Sequence, residues 1–225
     1  MIPLKDENPG GRFPLITVGI IAANLIVFLY QMALPEEVLN RFILRYGMIP
    51  AELLGRAPSL YGGPPAAVTL VTSQFLHGGL FHLLGNMLYL WIFGNNIEDL
   101  LGRVRFVIFY LLCGILAAGA HVVLNPLSTL PMVGASGAIA GVLGAYLINF
   151  PRHRVLVLVV LIFFFTTIYV PAFLVLGLWF VMQFLYILGE VGGGQATNVA
   201  YMAHIGGFVA GIWLVGRLRP RHRWR

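Results

Sequence analysis

Six apolar runs, each near the roughly 20 residues that carry a helix across a bilayer, constrain this chain more than anything else in it. They cover residues 14–33, 79–97, 106–124, 133–149, 172–189 and 201–216. Hydrophobic residues make up 59% of the 225 and charged residues 10%, where a soluble domain carries ~25% charged. A soluble fold of this size needs a polar exterior and cannot hide so much apolar surface. In lipid the backbone must satisfy its own hydrogen bonds, so the runs are expected to be helices of an all-α membrane protein. That excludes a disordered chain, a disulfide scaffold and an ordinary soluble enzyme. The single cysteine, Cys113, leaves no intramolecular disulfide and no multi-cysteine metal site. The first run is too long for the apolar part of a secretory signal, so no cleavable leader is expected.

The apolar runs set the domain plan. Residues 1–13 form a polar tail, 14–216 a transmembrane domain and 217–225 a basic tail. Within the domain, 31–75 is too long and polar for a turn, so it reads as an extramembrane or interfacial first loop with short amphipathic helices. Residues 151–171 hold an apolar stretch at 155–165, but it is too short to cross before Pro171. They read as a buried or interfacial connector.

Charge orients the six-span plan. One side holds Lys5, Arg12, Arg103, Arg105, Arg152, Arg154 and the tail arginines 217, 219, 221, 223 and 225; the other holds Arg41, Arg45 and Arg56. Eleven basic residues against three place both termini in the cytoplasm. A seventh span would put the arginine tail outside, against the same rule. The tail has no aromatic platform beyond Trp224, so it reads as a membrane-orienting signal and not as a nucleic-acid site.

Polar groups at membrane depth are costly and ask for a reason. The second run opens HGGLFHLLGN (77–86), with His82 and Asn86 on one helix face. The fourth opens GASG (134–137) around Ser136, and the sixth opens AHIGG (203–207) around His204. In a six-span topology these runs enter from the same outer side, so His82, Asn86, Ser136 and His204 share a depth. Stripes of small residues, at 137, 141 and 145 and at 203, 207 and 211, let the fourth and sixth helices approach closely. Packing alone accounts for the stripes but does not require the polar residues. A serine and a histidine in reach of each other make a nucleophile and its base. The Ser136 amide at a helix start, the Asn86 amide and a His82 N–H are donors for an oxyanion. No carboxylate falls near them, so the expected device is a Ser136–His204 dyad.

At these motifs the sequence resembles the rhomboid intramembrane serine proteases. The likeness runs from about residue 46 to 218 and is strongest in HGGLFHLLGN (77–86), GNNIEDLLG (94–102), GASGAIAGVLGAY (134–146) and AHIGGFVAG (203–211). It implies a six-transmembrane-helix rhomboid-like bundle with a water-filled cavity open to the outer side. It implies Ser136 as nucleophile, His204 as base, and His82, Asn86 and the Ser136 amide as oxyanion donors. It implies no metal and no cofactor. The substrates it implies are membrane proteins cut in a transmembrane segment near the outer face, and the fifth helix, with Trp179 and Phe180, is the family's lateral gate. Two features depart from the pattern. Many members place an aromatic residue four after the serine, under the histidine; here it is Ala140, which leaves open what orients His204. Many carry a Trp-Arg pair in the first loop, absent near Val68-Thr69.

Two other readings compete. An inactive relative would bind transmembrane helices without cutting, but the four site residues are intact. A transporter or zinc protein would use His77, His82 and His204, but zinc sites want more ligands than these, and transporters show paired repeats that are not visible here. His77 is expected to shape the outer end of the second helix or to hydrogen-bond within the first loop. Glu98 and Asp99 are expected to tie helix ends together, with Arg103 or Arg105 as partners, and 190–194 to form a loop above the site. The protein is expected in a prokaryotic inner membrane.

Overall fold

The computed structural model describes residues 2–8, 11–59, 61–161, 164–191 and 199–220. Nine helices and three strands follow one another among them. Strand β1 (Ile2–Asp6) precedes α1 (Leu15–Ala33), α2 (Glu36–Tyr46), α3 (Pro50–Leu53), α4 (Ala66–Thr72), α5 (Leu80–Leu101), α6 (Arg103–Leu124) and α7 (Ser136–Asn149). Strands β2 (Arg154–Leu161) and β3 (Phe164–Pro171) come next, then α8 (Ala172–Val191) and α9 (Tyr201–Leu218). The helical membrane bundle expected from the sequence is what forms. The chain is a multi-pass membrane protein, with α1, α6, α8 and α9 each long and apolar enough to cross. Helix α5 is joined to α4 and the short turn after it across an 83° bend, and the pair together is long and apolar enough for one broken span or a re-entrant loop. The fourth apolar run becomes α7, only 14 residues long. At 1.5 Å per residue it falls short of a ~30 Å hydrocarbon core.

Glycines let α7 sit at the centre. A side-chain carbon on Gly207 or Gly211 would run into the carbonyls of Gly137 or Gly141, and one on Gly144 into that of Phe208. Only bare glycines allow α7 and α9 to pack backbone against backbone. Ala117 and Cys113 of α6 close the third side, against Gly137 and Gly141. Every residue of α7 from Gly137 to Tyr146 is buried.

The end of the bundle away from Ser136 is fastened by carboxylates. Helix α1 has no side-chain N-cap of its own. Glu98 at the end of α5 supplies one, accepting from the Ile16 and Thr17 amides at 3.0 and 2.8 Å and from the Thr17 hydroxyl at 2.8 Å. Its charge also suits the positive end of α1. Asp99 accepts from the Gly11 and Arg12 amides. These residues do tie helix ends together, but their partners are backbone N–H groups. Among the described residues neither pairs with Arg103 or Arg105. The turn from α5 into α6 is a single residue, Gly102 at φ +79°, a conformation a side chain resists.

Most of the described residues between 151 and 171 are strand. RVLVLVVL and FFTTIYVP are rich in β-branched and aromatic residues, which favour strands, and they pair as an antiparallel hairpin from Arg154↔Pro171 to Leu161↔Phe164. Strand β1 adds to its free edge, Ile2 facing Leu158 and Asp6 facing Val155. Val155 and Val157 turn inward and are fully buried, as alternation along a strand requires. Between α1 and α5 the chain forms α2 to α4, with Tyr30 of α1 edge-on to Phe42 and Phe42 tilted against Tyr46 on α2.

Candidate active site

Three helices begin at one end of the bundle, and each brings one polar group to the same space. Ser136 is the first residue of α7, so its amide and those after it have no acceptor within the helix. The chain reaches it through Gly134 at φ +128°, whose amide donates to the Ser73 carbonyl at 2.9 Å. His204 lies one turn into α9 and faces α7. Its Nε2 is 2.9 Å from Ser136 Oγ. Both residues are partly exposed.

The other imidazole nitrogen is also held. His204 Nδ1 is 2.8 Å from Oε1 of Gln183 on α8. The Gln183 Nε2 donates to the Trp179 carbonyl at 2.9 Å, which turns the amide oxygen toward the ring. Nδ1 therefore carries the proton, and Nε2 presents its lone pair to the serine hydroxyl. Trp179 lies against the same imidazole, ring centres 5.7 Å apart and planes 37° apart. The aromatic support that Ala140 cannot give comes from α8.

On α5 the two expected residues part company. A carbon added to Gly134 would lie 2.8 Å from His82 Cε1, 2.9 Å from its Nε2 and 3.6 Å from Ser136 Oγ. His82 and the serine hydroxyl thus border one small space. Asn86 is one turn deeper, and its Nδ2 is 3.0 Å from His77 Nε2. His77 is buried, edge-on to His82 at 5.2 Å. Its own backbone is clasped by Gln31 of α1 through two 3.1 Å bonds, one from His77 N–H to Oε1 and one from Nε2 to the His77 carbonyl. His77, expected to shape the outer end of the second helix or to hydrogen-bond within the first loop, also holds the Asn86 amide directly.

Gln183 and the orienting role of Trp179 were not read from the sequence. The signal was present: Gln183 is the lone amide in the run 172–189, and a polar group at membrane depth is costly without a partner. The loop 190–194, expected above the site, lies mostly outside the described residues.

The rhomboid domain profile matches residues 64–221. This chain belongs to the rhomboid family. Among its relatives, the mitochondrial presenilin-associated rhomboid-like protein of Rattus norvegicus is 32% identical over 200 residues, covering 88% of this chain and 47% of the relative. RHOMBOID-like protein 1 of Arabidopsis thaliana is 28% identical, covering 93% and 55%. Rhomboid protease GluP of Bacillus subtilis is 34% identical, covering 66% and 25%. This rhomboid spans about half or less of the length of these relatives. The matched stretch holds Ser136, His204, His82, Asn86, Gln183 and Trp179.

Proposed function

We propose that this rhomboid is an intramembrane serine endopeptidase. Ser136 Oγ attacks a peptide carbonyl, and its proton passes to His204 Nε2. The imidazolium then returns that proton to the leaving amine, and water resolves the acyl-enzyme by the same path in reverse. The negative oxygen of the tetrahedral intermediate is met by the Ser136 amide, where the start of α7 favours negative charge. His82 supplies a second donor beside it and Asn86 a third from one turn below, its amide aimed by His77. The substrate is a transmembrane segment of another membrane protein. Its helix must unwind before a carbonyl is exposed, because a helix hides its carbonyls in i→i−4 bonds.

The reading includes six apolar helices in residues 14–216, of which α7 is too short to cross by itself. Residues 1–13 and 217–225 flank that domain in the cytoplasm of a prokaryote whose inner membrane holds the protein. No cofactor or metal has a step to perform. The observation that carries the proposal is the 2.9 Å contact between Ser136 Oγ and His204 Nε2.

A fluorophosphonate probe tests it. Detergent-solubilised protein is expected to label at Ser136 and to cleave a model transmembrane substrate. Ser136→Ala and His204→Ala are each expected to abolish both, while melting within a few degrees of the parent. Cleavage by Ser136→Ala protein at the parent rate would discard the proposal. Absence of labelling in the parent would favour a non-cutting helix-binding relative.

A further inference from the structure

We propose that Gln183 is a positioning residue for His204, and that it makes the state of the base depend on how α8 is seated. The inference rests on the reading of Ser136 and His204 as a reactive pair. Its basis is a chain of three bonds: Trp179 carbonyl from Gln183 Nε2, Gln183 Oε1 from His204 Nδ1, and Ser136 Oγ to His204 Nε2, at 2.9, 2.8 and 2.9 Å. The first bond decides which end of the amide meets the ring. The second decides which ring nitrogen carries the proton. The third is then possible in only one sense, with the serine donating. When Ser136 Oγ bonds to a carbonyl carbon, its proton goes to Nε2. The imidazolium keeps its Nδ1 proton directed at Gln183, and no proton moves onto the amide. Gln183 takes the orienting place that a carboxylate fills in a three-residue relay, but it brings no charge.

The link to α8 follows from where that helix sits. It is the least buried of the four full-length apolar helices. Its first turn is pinned to the hairpin end, the Ala172 and Phe173 amides donating to the His153 and Pro151 carbonyls at 2.8 and 3.0 Å. Toward the site it meets α9 through a ladder of rings: Phe180 on Phe208 at 4.3 Å, Trp179 on His204 at 5.7 Å and Tyr186 on Tyr201 at 5.0 Å. Gln183 is buried in the middle of that ladder. If the site end of α8 swings from α9, the imidazole loses its Nδ1 acceptor and its aromatic wall together. Ser136 then faces a ring free to turn. A seated α8 and a competent base are one state.

Variants at 183 separate this from simple packing. The titratable groups around His204 among the described residues are Ser136 from α7, His82 from α5 and Tyr201 one turn earlier on α9; α6 presents Leu116, Ala117 and Ala120 to that part of α9. Gln183→Leu keeps the volume and removes the acceptor. It is expected to lower both kcat and the rate of Ser136 labelling about 10- to 100-fold, less than loss of the base itself, with KM within two-fold. Gln183→Glu restores an acceptor and adds a charge. It is expected to recover at least ten-fold over Gln183→Leu and to move the acidic limb of the kcat/KM profile up by about one pH unit. Parent-like labelling and kcat in Gln183→Leu overturn the inference. So do equal losses in both variants with an unmoved acidic limb, which would mean packing alone. Neither result touches the dyad, which fails only if the parent protein does not label at Ser136.

Discussion

Gly134 shows how much a missing side chain decides at the residue scale. Its φ of +128° belongs to glycine, and any β-carbon there would press into His82, beside the Ser136 hydroxyl. Gly134→Ala is therefore expected to do two things. Strain at the backbone should cost about 1–3 kcal/mol of stability, read by thermal unfolding. Displacement of His82 should lower kcat/KM by about 100-fold, and tight labelling of Ser136 at the parent rate would contradict it. Asn86 makes the complementary case. Its amide is held by His77, so His77→Ala leaves a buried amide without its partner, an omission that costs about 1–3 kcal/mol.

Elements are held at distances that the chemistry needs. The serine is on α7 and the histidine on α9, and their contact exists because Gly137, Gly141, Gly207 and Gly211 let two backbones touch. Gly211→Val, two turns below His204, would wedge the helices apart at the Gly141 carbonyl. Overpacking of this kind costs roughly 1–3 kcal/mol, and the site should lose activity beyond what the fall in stability explains. The measurement is labelling at a temperature well below the variant's own midpoint. A variant that melts early but labels at the parent rate would mean that α7 and α9 separate only at their far ends.

Across the whole molecule, the end opposite the site is joined by a second buried carboxylate besides Glu98. Asp6 on β1 accepts from Asn96 of α5 at 2.6 Å and from Tyr146 of α7 at 2.9 Å. Strand β1, helix α5 and the serine-bearing α7 thus share one oxygen. Burial pushes the Asp6 carboxyl above its usual range, and the hydrogen bonds from Tyr146 and Asn96 offset only part of this. With the folded value raised, the folded chain holds the proton longer than the unfolded chain does. The associated stability is present below the unfolded value and is lost as pH rises through the folded one. Asp6→Asn keeps a carbonyl acceptor and cannot ionise. Its melting temperature relative to the parent is expected to rise as pH climbs from 4 to 7. A gap that stays flat would mean that Asp6 carries no such shift.

The sequence by itself determined the membrane class and the motifs around Ser136, His204, His82 and Asn86. Composition and periodic small residues act locally, and a polar group in an apolar run announces itself wherever the run goes. Only the tertiary structure decided what those groups touch. Helix α7 proved too short to cross, the connector at 151–171 became a hairpin with β1 on its edge, and Glu98 and Asp99 turned to backbone amides instead of arginines. Gln183 and Trp179 meet His204 from another helix, Gln183 lying 21 residues before it in the chain. Such partners are set by how rods of similar apolarity pack against one another, and no single run of residues encodes which face of one rod will lie on another.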